Sequence, residues 1–276
     1  MSQVTIAEIT KLRKVTGAGM MDCKNALNES NGDIEKAIEI IRKKGQLVAS
    51  KRSDREASEG VVLSTVTSDG KFGVVTVLNC ETDFVAKNQD FQNLAQTILK
   101  VALDKKPANL EALKEIQEGG RKISDLVLDK VGITGEKMEL SYYGFVKAEK
   151  VVAYIHPGNL LACVVGFNKA NLNEQVYKDV AMQVAAMNPV AVDKDFVTKE
   201  RLEKELEIGR EQARMEGKPE NMLDKIAEGK LNKFFKESTL LNQEFIKDNK
   251  MTIRQYLQSV DKTLTVTDFR RYGLKD

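Results

Sequence analysis

The residues of this sequence that could perform covalent or metal chemistry are few and widely spaced. The cysteines are Cys23, Cys80 and Cys163, an odd number without paired metal-ligand or redox spacing. His156 is the single histidine, so the chain lacks the material for a zinc site or a Ser-His-Asp triad. We therefore expect reduced cysteines, no metal and no cofactor. An ordinary enzyme is disfavoured, while chemistry by carboxylates stays open.

Nucleotide-binding motifs are also missing from the sequence. No Gly-x-x-x-x-Gly-Lys-Ser/Thr loop occurs, so we expect no direct binding of GTP or ATP in that manner. Gly17-Ala18-Gly19 follows a helical pattern and has no later glycine, which argues against a dinucleotide site. The 43 Lys and Arg residues nearly balance the 41 Asp and Glu residues, so no general field attracts nucleic acid or an anionic membrane. Partners should be recognised locally.

The start of the chain gives no signal for export or anchoring. Met1-Ser2-Gln3-Val4 contains no basic segment leading into an apolar one. No run approaches the ~18 apolar residues of a membrane span. We expect a cytoplasmic protein without a membrane partner.

The segment Thr82-Asp83-Phe84-Val85 places an aromatic ring and a carboxylate between a predicted hairpin and a predicted helix. Two arrangements fit these residue types. The exposed ring and carboxylate could anchor a partner protein, because aromatic side chains are favoured at interfaces. Alternatively, Phe84 folds beneath the following helix while Asp83 caps that helix. The periodicity by itself favours the second arrangement.

The elements before this segment begin with three predicted helices between residues 5 and 45. Thr5 and Glu8 have the spacing of a capping box, and Asp33 is placed to cap the third helix. Gly45 is predicted to end that helix in a left-handed conformation. Residues 46–59 are charged and small, which is typical of a linker or an exposed helix.

Two α+β units are predicted to follow. The first is a hairpin around Ser68-Asp69-Gly70 and then helices as far as Val131. The second contains strands from Tyr142 to Phe167, with a turn at His156-Pro157-Gly158-Asn159, and a helix that stops before Asn188. The charge-dense segment Thr198–Lys236 is split by Gly217-Lys218-Pro219 and predicts an antiparallel helical hairpin. A strand from Leu264 to Tyr272 closes the second unit, which is therefore discontinuous.

Two long segments resemble the elongation factor Ts family, and shorter matches follow in the family's order. The long segments are Thr16-Gly17-Ala18-Gly19-Met20-Met21-Asp22-Cys23-Lys24 and Thr82-Asp83-Phe84-Val85-Ala86-Lys87-Asn88. The shorter ones are Asn31-Gly32-Asp33, His156-Pro157-Gly158, Gly217-Lys218-Pro219 and Glu228-Gly229-Lys230. Some members continue into a further C-terminal helix beyond the point where Tyr272–Asp276 ends this sequence, so a contact made there is not expected.

The resemblance implies an α+β fold in four parts. Residues 1–54 correspond to a ubiquitin-associated-like three-helix domain and linker. Residues 55–140 correspond to a core N-subdomain, and residues 141–194 with 237–276 to a core C-subdomain. Residues 195–236 correspond to an inserted helical hairpin, which either projects into solvent or mediates a homodimer.

The resemblance also implies a function and a set of contact residues. The partner is the GTPase elongation factor Tu, from which the family promotes the release of GDP and magnesium. Thr82, Asp83, Phe84 and Val85 correspond to the turn that enters the GTPase domain. Leu12, Met20, Met21 and His156 correspond to further partner contacts. For Leu12, burial in the core of the three-helix domain is an equally good interpretation, and His156 also fits an ordinary turn residue.

Three other hypotheses are weaker. An adaptor built on the three-helix domain explains only the first fifth of the chain. A ribosome- or RNA-associated factor is disfavoured by the near-neutral charge and the lack of an aromatic RNA-binding motif. An enzyme remains third. All three predict that Phe84→Ala leaves the main activity intact.

Overall fold

The computed structural model describes residues 4–275, so Met1–Gln3 and Asp276 lie outside the described residues. The chain begins with three helices, whose apolar faces share one small core. The capping box of Thr5 with Glu8 and the cap by Asp33 are confirmed. These helices are α1 (Ile6–Thr16), α2 (Met20–Glu29) and α3 (Ile34–Lys51).

The predicted end of α3 at Gly45 is wrong, because the helix continues to Lys51. Gly45 has another role: it lets α3 cross very close to a later helix. A Cβ atom at Gly45 would lie 3.2 Å from the carbonyl oxygen of Leu128 and 3.4 Å from Cα of Gly132. Val48 and Ala49 then pack against the next core. The first part of the supposed linker is therefore a helix that joins the three-helix unit to the rest of the protein.

The first α+β unit is a three-stranded antiparallel sheet in the order β1-β2-β5, with helices on one face. The predicted hairpin at Asp69-Gly70 is confirmed. The boundary predicted at residue 140 falls inside β5, which pairs with β2 as far as Lys147. The elements are β1 (Glu59–Val66), β2 (Phe72–Cys80), α4 (Asp83–Ala86), α5 (Gln89–Lys105), α6 (Leu110–Glu115), β3 (Gln117–Glu118), β4 (Arg121–Lys122), α7 (Ile123–Thr134) and β5 (Met138–Lys147).

The second unit is also built on a three-stranded antiparallel sheet, in the order β10-β7-β6. Its last strand comes from the end of the chain, so the unit is discontinuous, as predicted. Short 3₁₀ helices cover Lys194–Phe196, Glu220–Met222 and Leu240–Asn242. The other elements are β6 (Lys150–Ile155), β7 (Leu161–Phe167), α8 (Glu174–Met187), α9 (Lys199–Met215), α10 (Leu223–Ser238), β8 (Glu244–Phe245), β9 (Asp248–Thr252), α11 (Ile253–Val260) and β10 (Val266–Gly273).

The two sheets pack face to face, with helices on both outer sides. Val62 and Val77 from the first sheet share an apolar cluster with Val164 from the second. Alternate residues of β1, such as Val61 and Leu63, face the outer core beneath α5 and α7. β2 is buried along its whole length because it is the central strand between these two cores, which explains its nearly continuous apolar sequence. The sandwich therefore fixes where the end of β2 emerges.

Helices α9 and α10 run antiparallel and contact each other along their length. Gly209 permits the close approach, since a Cβ atom there would lie 3.0 Å from Cα of Ala227. Arg210 Nε donates to Asp224 Oδ1 at 2.7 Å across the pair. The mixed helical and antiparallel-sheet architecture agrees with the predicted α+β class. Among the described helices, none combines the length and apolar character that a membrane crossing would require.

Candidate protein-interaction site

The turn after β2 is shaped by a helix cap at Thr82. Its hydroxyl accepts a hydrogen bond from the backbone N–H of Val85 at 3.4 Å, so α4 begins at Asp83. The helix lasts a single turn, because Asn88 then caps α5 through the N–H of Asp90. The predicted alternative in which Asp83 is the cap is therefore wrong.

Phe84 points into solvent from this short helix. Its side chain is 83% exposed, whereas Ala86 is buried and Val85 is partly buried against the first core. The alternative in which Phe84 folds beneath the following helix is also wrong. A large aromatic side chain with so much surface in water is available for contact with another protein.

Asp83 is half exposed beside the ring and keeps its charge. Lys87 Nζ donates to its carboxylate at 2.6 Å, one helical turn further on. This hydrogen bond lowers the pKa of Asp83 and raises the pKa of Lys87. Because exposed ion pairs are easily exchanged for other partners, the carboxylate can be offered to a donor on a second protein.

The base of the turn is held by two carboxylates that the sequence did not identify. Glu136 Oε2 accepts from the backbone N–H of Thr82 at 3.1 Å, and Glu136 Oε1 accepts from the Thr82 hydroxyl at 2.7 Å. In the reverse direction, Glu81 Oε1 accepts from the backbone N–H of Lys137 at 2.6 Å. Glu136 is separated from Thr82 by 54 residues, so no local pattern could have revealed it.

The same base is connected to the chain that leaves α3. Arg52 Nη1 donates to both carboxylate oxygens of Glu81, at 3.0 and 2.8 Å. Lys137 Nζ donates to the carbonyl oxygens of Ser53 and Arg55, at 2.8 and 3.0 Å. The pKa of Glu81 is lowered, chiefly by the N–H of Lys137 and then by Arg52. The turn is thus anchored to the linker as well as to its own sheet.

Cys80 lies beneath the turn and offers no nucleophile. Its thiol donates to the carbonyl oxygen of Thr82 at 3.2 Å. Burial raises the pKa of this thiol to about 12, so it is neutral at physiological pH. Cys23 and Cys163 are likewise buried and unpaired. Across residues 4–275, no group of His, Cys, Asp or Glu side chains is arranged to hold a metal ion.

The predicted contacts in the three-helix unit separate into two kinds. A direct contact of Leu12 with a partner stays a prediction. Leu12 is fully buried and packs with Leu27 and Ala37, as the core interpretation predicted. Its place on the apolar stripe of α1 is the reason. Met20 and Met21, in the first turn of α2, are 45% and 66% exposed. Their flexible side chains suit a contact surface.

His156 lies at the tip of the hairpin between β6 and β7. Its Nδ1 lies 3.1 Å from the hydroxyl of Tyr154, and the ring is exposed. Beside it is a groove of about 400 Å³, whose lining includes Leu161, Met182 and Ile246. This turn belongs to the second sheet, whereas Phe84 belongs to the first unit and Met21 to the three-helix unit. The predicted contacts thus lie on three different parts of the molecule.

Comparison with known proteins gives one consistent result. The family model described as elongation factor TS matches residues 81–276. A protein named elongation factor Ts from Porphyromonas gingivalis is 58% identical over 272 residues, which cover 98% of each chain. Proteins of the same name from Azobacteroides pseudotrichonymphae and Cytophaga hutchinsonii are each 50% identical, covering 98% and 99% of this chain and 98% and 100% of their own.

Proposed function

This chain belongs to the elongation factor Ts family, and from that premise we propose that it promotes the release of GDP from the GTPase elongation factor Tu, so that GTP can rebind. It acts through protein contact and catalyses no bond chemistry of its own. The observation that carries the proposal is the exposed side chain of Phe84 on a turn that is braced from below.

The energetic requirement for such a factor is a difference in affinity. A GTPase holds its nucleotide through a phosphate-binding loop and a magnesium ion. The factor accelerates release if it binds the emptied, distorted GTPase more tightly than the loaded one. Reciprocity then means that incoming GTP weakens the hold of the factor, which frees it for another cycle. No acid, base or metal of its own is needed.

The predicted contact residues have two kinds of role: some enter or hold the partner, and others support the structure that presents them. Phe84 is the wedge that enters the GTPase domain beside the elements that hold magnesium, and Asp83 exchanges Lys87 for a donor on the partner. Thr82 and Val85 shape the turn rather than reach outward, since both are partly buried. Met20, Met21 and His156 are additional contacts that hold the partner against the wedge. Leu12 contributes by keeping the three-helix unit folded.

The division of the chain into domains is part of the same proposal. Residues 1–54 form a ubiquitin-associated-like domain, supported by three short helices around one core. The core subdomains are residues 55–140, with the rest of β5, and residues 148–194 with 237–276. The helical hairpin of residues 195–236 is an insertion in the second subdomain. Its many charged side chains favour a solvated projection, and a homodimer through this hairpin is the alternative.

The test is the release of a fluorescent GDP analogue from purified elongation factor Tu, followed by stopped flow in excess unlabelled GDP. Micromolar amounts of this protein should increase the release rate in a saturable manner. Release from an unrelated GTPase is the control and should not change. If the protein binds elongation factor Tu without accelerating release, it is an adaptor, and the exchange function is excluded.

A further inference from the structure

We propose that Glu136 is a positioning residue for exchange: its carboxylate fixes the direction in which Phe84 leaves the protein surface. The inference rests on the proposed exchange function and adds a residue to it. Glu136 lies on the connection between α7 and β5, outside every segment that suggested a contact in the sequence.

The strands β2 and β5 separate just before the turn that carries Phe84. Their ladder ends at the pair formed by Cys80 and Met138. Beyond it, the two chains exchange side-chain bonds in both directions: Glu136 accepts from the N–H of Thr82, and Glu81 accepts from the N–H of Lys137. Each carboxylate therefore satisfies a backbone donor of the opposite chain. The separation of the strands is held at a defined width by these two bonds.

Hydrogen bonds through Thr82 connect Glu136 to the helix that carries Phe84. The Thr82 hydroxyl donates to Glu136 Oε1 at 2.7 Å and accepts from the N–H of Val85 at 3.4 Å. One hydroxyl thus links the carboxylate to the first turn of α4. The hydroxyl hydrogen is directed toward Glu136, so the lone pairs of the hydroxyl oxygen can accept a hydrogen bond from the helix. This relay, together with the packing of Val85 and Ala86, sets the orientation of α4.

Few anchors lie beneath Phe84, namely the cap at Thr82 and the packing of Val85 and Ala86 against the first core. The side chain of Phe84 is 83% exposed, so its direction depends on the backbone of a helix only four residues long. A helix of this length is not stable by itself and takes its orientation from its anchors. Holding the ring in one direction before binding reduces the ordering cost that binding would otherwise carry.

The experiment compares Glu136→Ala, Glu136→Gln and the control Glu139→Gln, which changes a nearby exposed carboxylate on β5. Nucleotide release from elongation factor Tu is measured against factor concentration, to separate the maximal rate from the concentration that gives half of it. We expect Glu136→Ala to lower the maximal rate about 10-fold, because a displacement on the order of 1 Å can reduce a rate by that amount or more. The half-maximal concentration should change less than about 2-fold, because the other contacts of the partner remain.

The graded variants distinguish positioning from general destabilisation. Glu136→Gln keeps one acceptor oxygen, so its rate should lie between those of wild type and Glu136→Ala, while Glu139→Gln behaves as wild type. The decisive measurement is a double-mutant cycle with Phe84→Ala. If Glu136 acts through Phe84, Glu136→Ala should cause little further loss in the Phe84→Ala background.

Two results would overturn the proposal. One is a wild-type maximal rate in Glu136→Ala, and the other is a full, additive loss in the Phe84→Ala background. If Glu136→Ala does not fold, as judged by circular dichroism, Glu136→Gln and Thr82→Val take its place in the same cycle. Failure of wild type to accelerate release would instead reject the exchange function itself, so the two failures are distinguishable.

Discussion

The two exposed turns, residues 80–88 with Phe84 and residues 155–161 with His156, are held in different ways. The first depends on residues distant in sequence, since Glu136 and Lys137 contact Glu81 and Thr82 through carboxylates. The second is closed by its own backbone and receives one further backbone bond, from the N–H of Val62 in β1 to the carbonyl oxygen of Asn159 at 2.7 Å. The N–H of His156 donates to the carbonyl oxygen of Leu161 at 2.8 Å. The N–H of Asn159 donates to the carbonyl oxygen of His156 at 3.0 Å.

The side chains at the two tips also differ in whether they have a neighbouring ring. Phe84 has no described ring partner, whereas the ring of His156 lies beside that of Tyr154, two residues earlier near the end of β6. Backbone bonds suffice for the second turn, because Gly158 and Asn159 adopt the left-handed conformations it requires. The first turn presents an exposed aromatic ring from a helix of four residues and is held by side-chain bonds from elsewhere. The difference indicates that the first turn is the more specialised.

The largest effect should come from Phe84→Ala. If the ring is the wedge, the variant should reduce the maximal rate of GDP release about 10- to 100-fold, which corresponds to roughly 1.5–3 kcal/mol of buried aromatic surface. Its thermal midpoint should equal that of wild type, because the ring contributes little to the core. Stopped-flow release and thermal unfolding by circular dichroism measure the two quantities.

Two phenylalanines serve as controls for Phe84→Ala. Phe196 is 67% exposed on a 3₁₀ helix far along the chain, and Phe196→Ala should leave the release rate unchanged. Phe91 is buried in the first core, and Phe91→Ala should lower stability by about 3–5 kcal/mol. A wild-type rate of GDP release by Phe84→Ala would show that the first turn is not the wedge. The two turns would then differ in structure but not in function.

The sequence predicted the second turn better than the first, for a physical reason. Pro157, Gly158 and Asn159 indicate the turn locally, and the strands predicted on either side of it are present as β6 and β7. In the first turn, the neighbours Ala86 and Val85 face the core and direct Phe84 outward, but periodicity alone favoured a buried ring. The family resemblance, rather than the pattern, identified that segment.

Other differences between prediction and structure arose from tertiary contacts. Gly45 has the position of a helix terminator, yet it lies within α3 because Gly132 crosses it closely. Leu12 matches a family contact, yet its place on the apolar stripe buries it. The helix caps at Thr5 and Asp33 and the hairpin at Asp69-Gly70 follow local rules and were predicted. The clamp by Glu136 joins distant residues, and a single sequence carries no signal for it.

A smaller effect is expected at the second tip. His156→Ala should lower the rate of GDP release about 3- to 10-fold, since an exposed residue at the edge of a contact contributes roughly 1 kcal/mol. Most of this loss should appear as a higher half-maximal concentration, because the role proposed for His156 is to hold the partner rather than to displace its ligands. Tyr154→Phe removes the hydroxyl beside Nδ1 but keeps the ring, and it should have a weaker effect of the same kind. A loss as large as that of Phe84→Ala would make the two tips equivalent.

The smallest effect concerns how each turn responds to acid. The folded-state pKa of Glu81 lies below its ordinary value of 4.5, chiefly because of the N–H of Lys137. A carboxylate with a lowered pKa contributes stability that is present above its unfolded pKa and is lost as the pH falls through the folded pKa. Glu81→Gln should therefore lower the thermal midpoint by about 2–4 °C near pH 7, and this deficit should shrink below about pH 4.5.

The second turn supplies the matched comparison for this acid response. Asn159 has a φ of 59°, and Asn159→Ala should lower the thermal midpoint by a similar amount, because alanine adopts this conformation less readily. No carboxylate takes part in the described hydrogen bonds of that turn, so the deficit of Asn159→Ala should stay constant from pH 7 to about pH 3.5. Parallel pH curves for the two variants would mean that the ionised form of Glu81 does not brace the first turn. Diverging curves would locate the acid sensitivity at the base of the wedge.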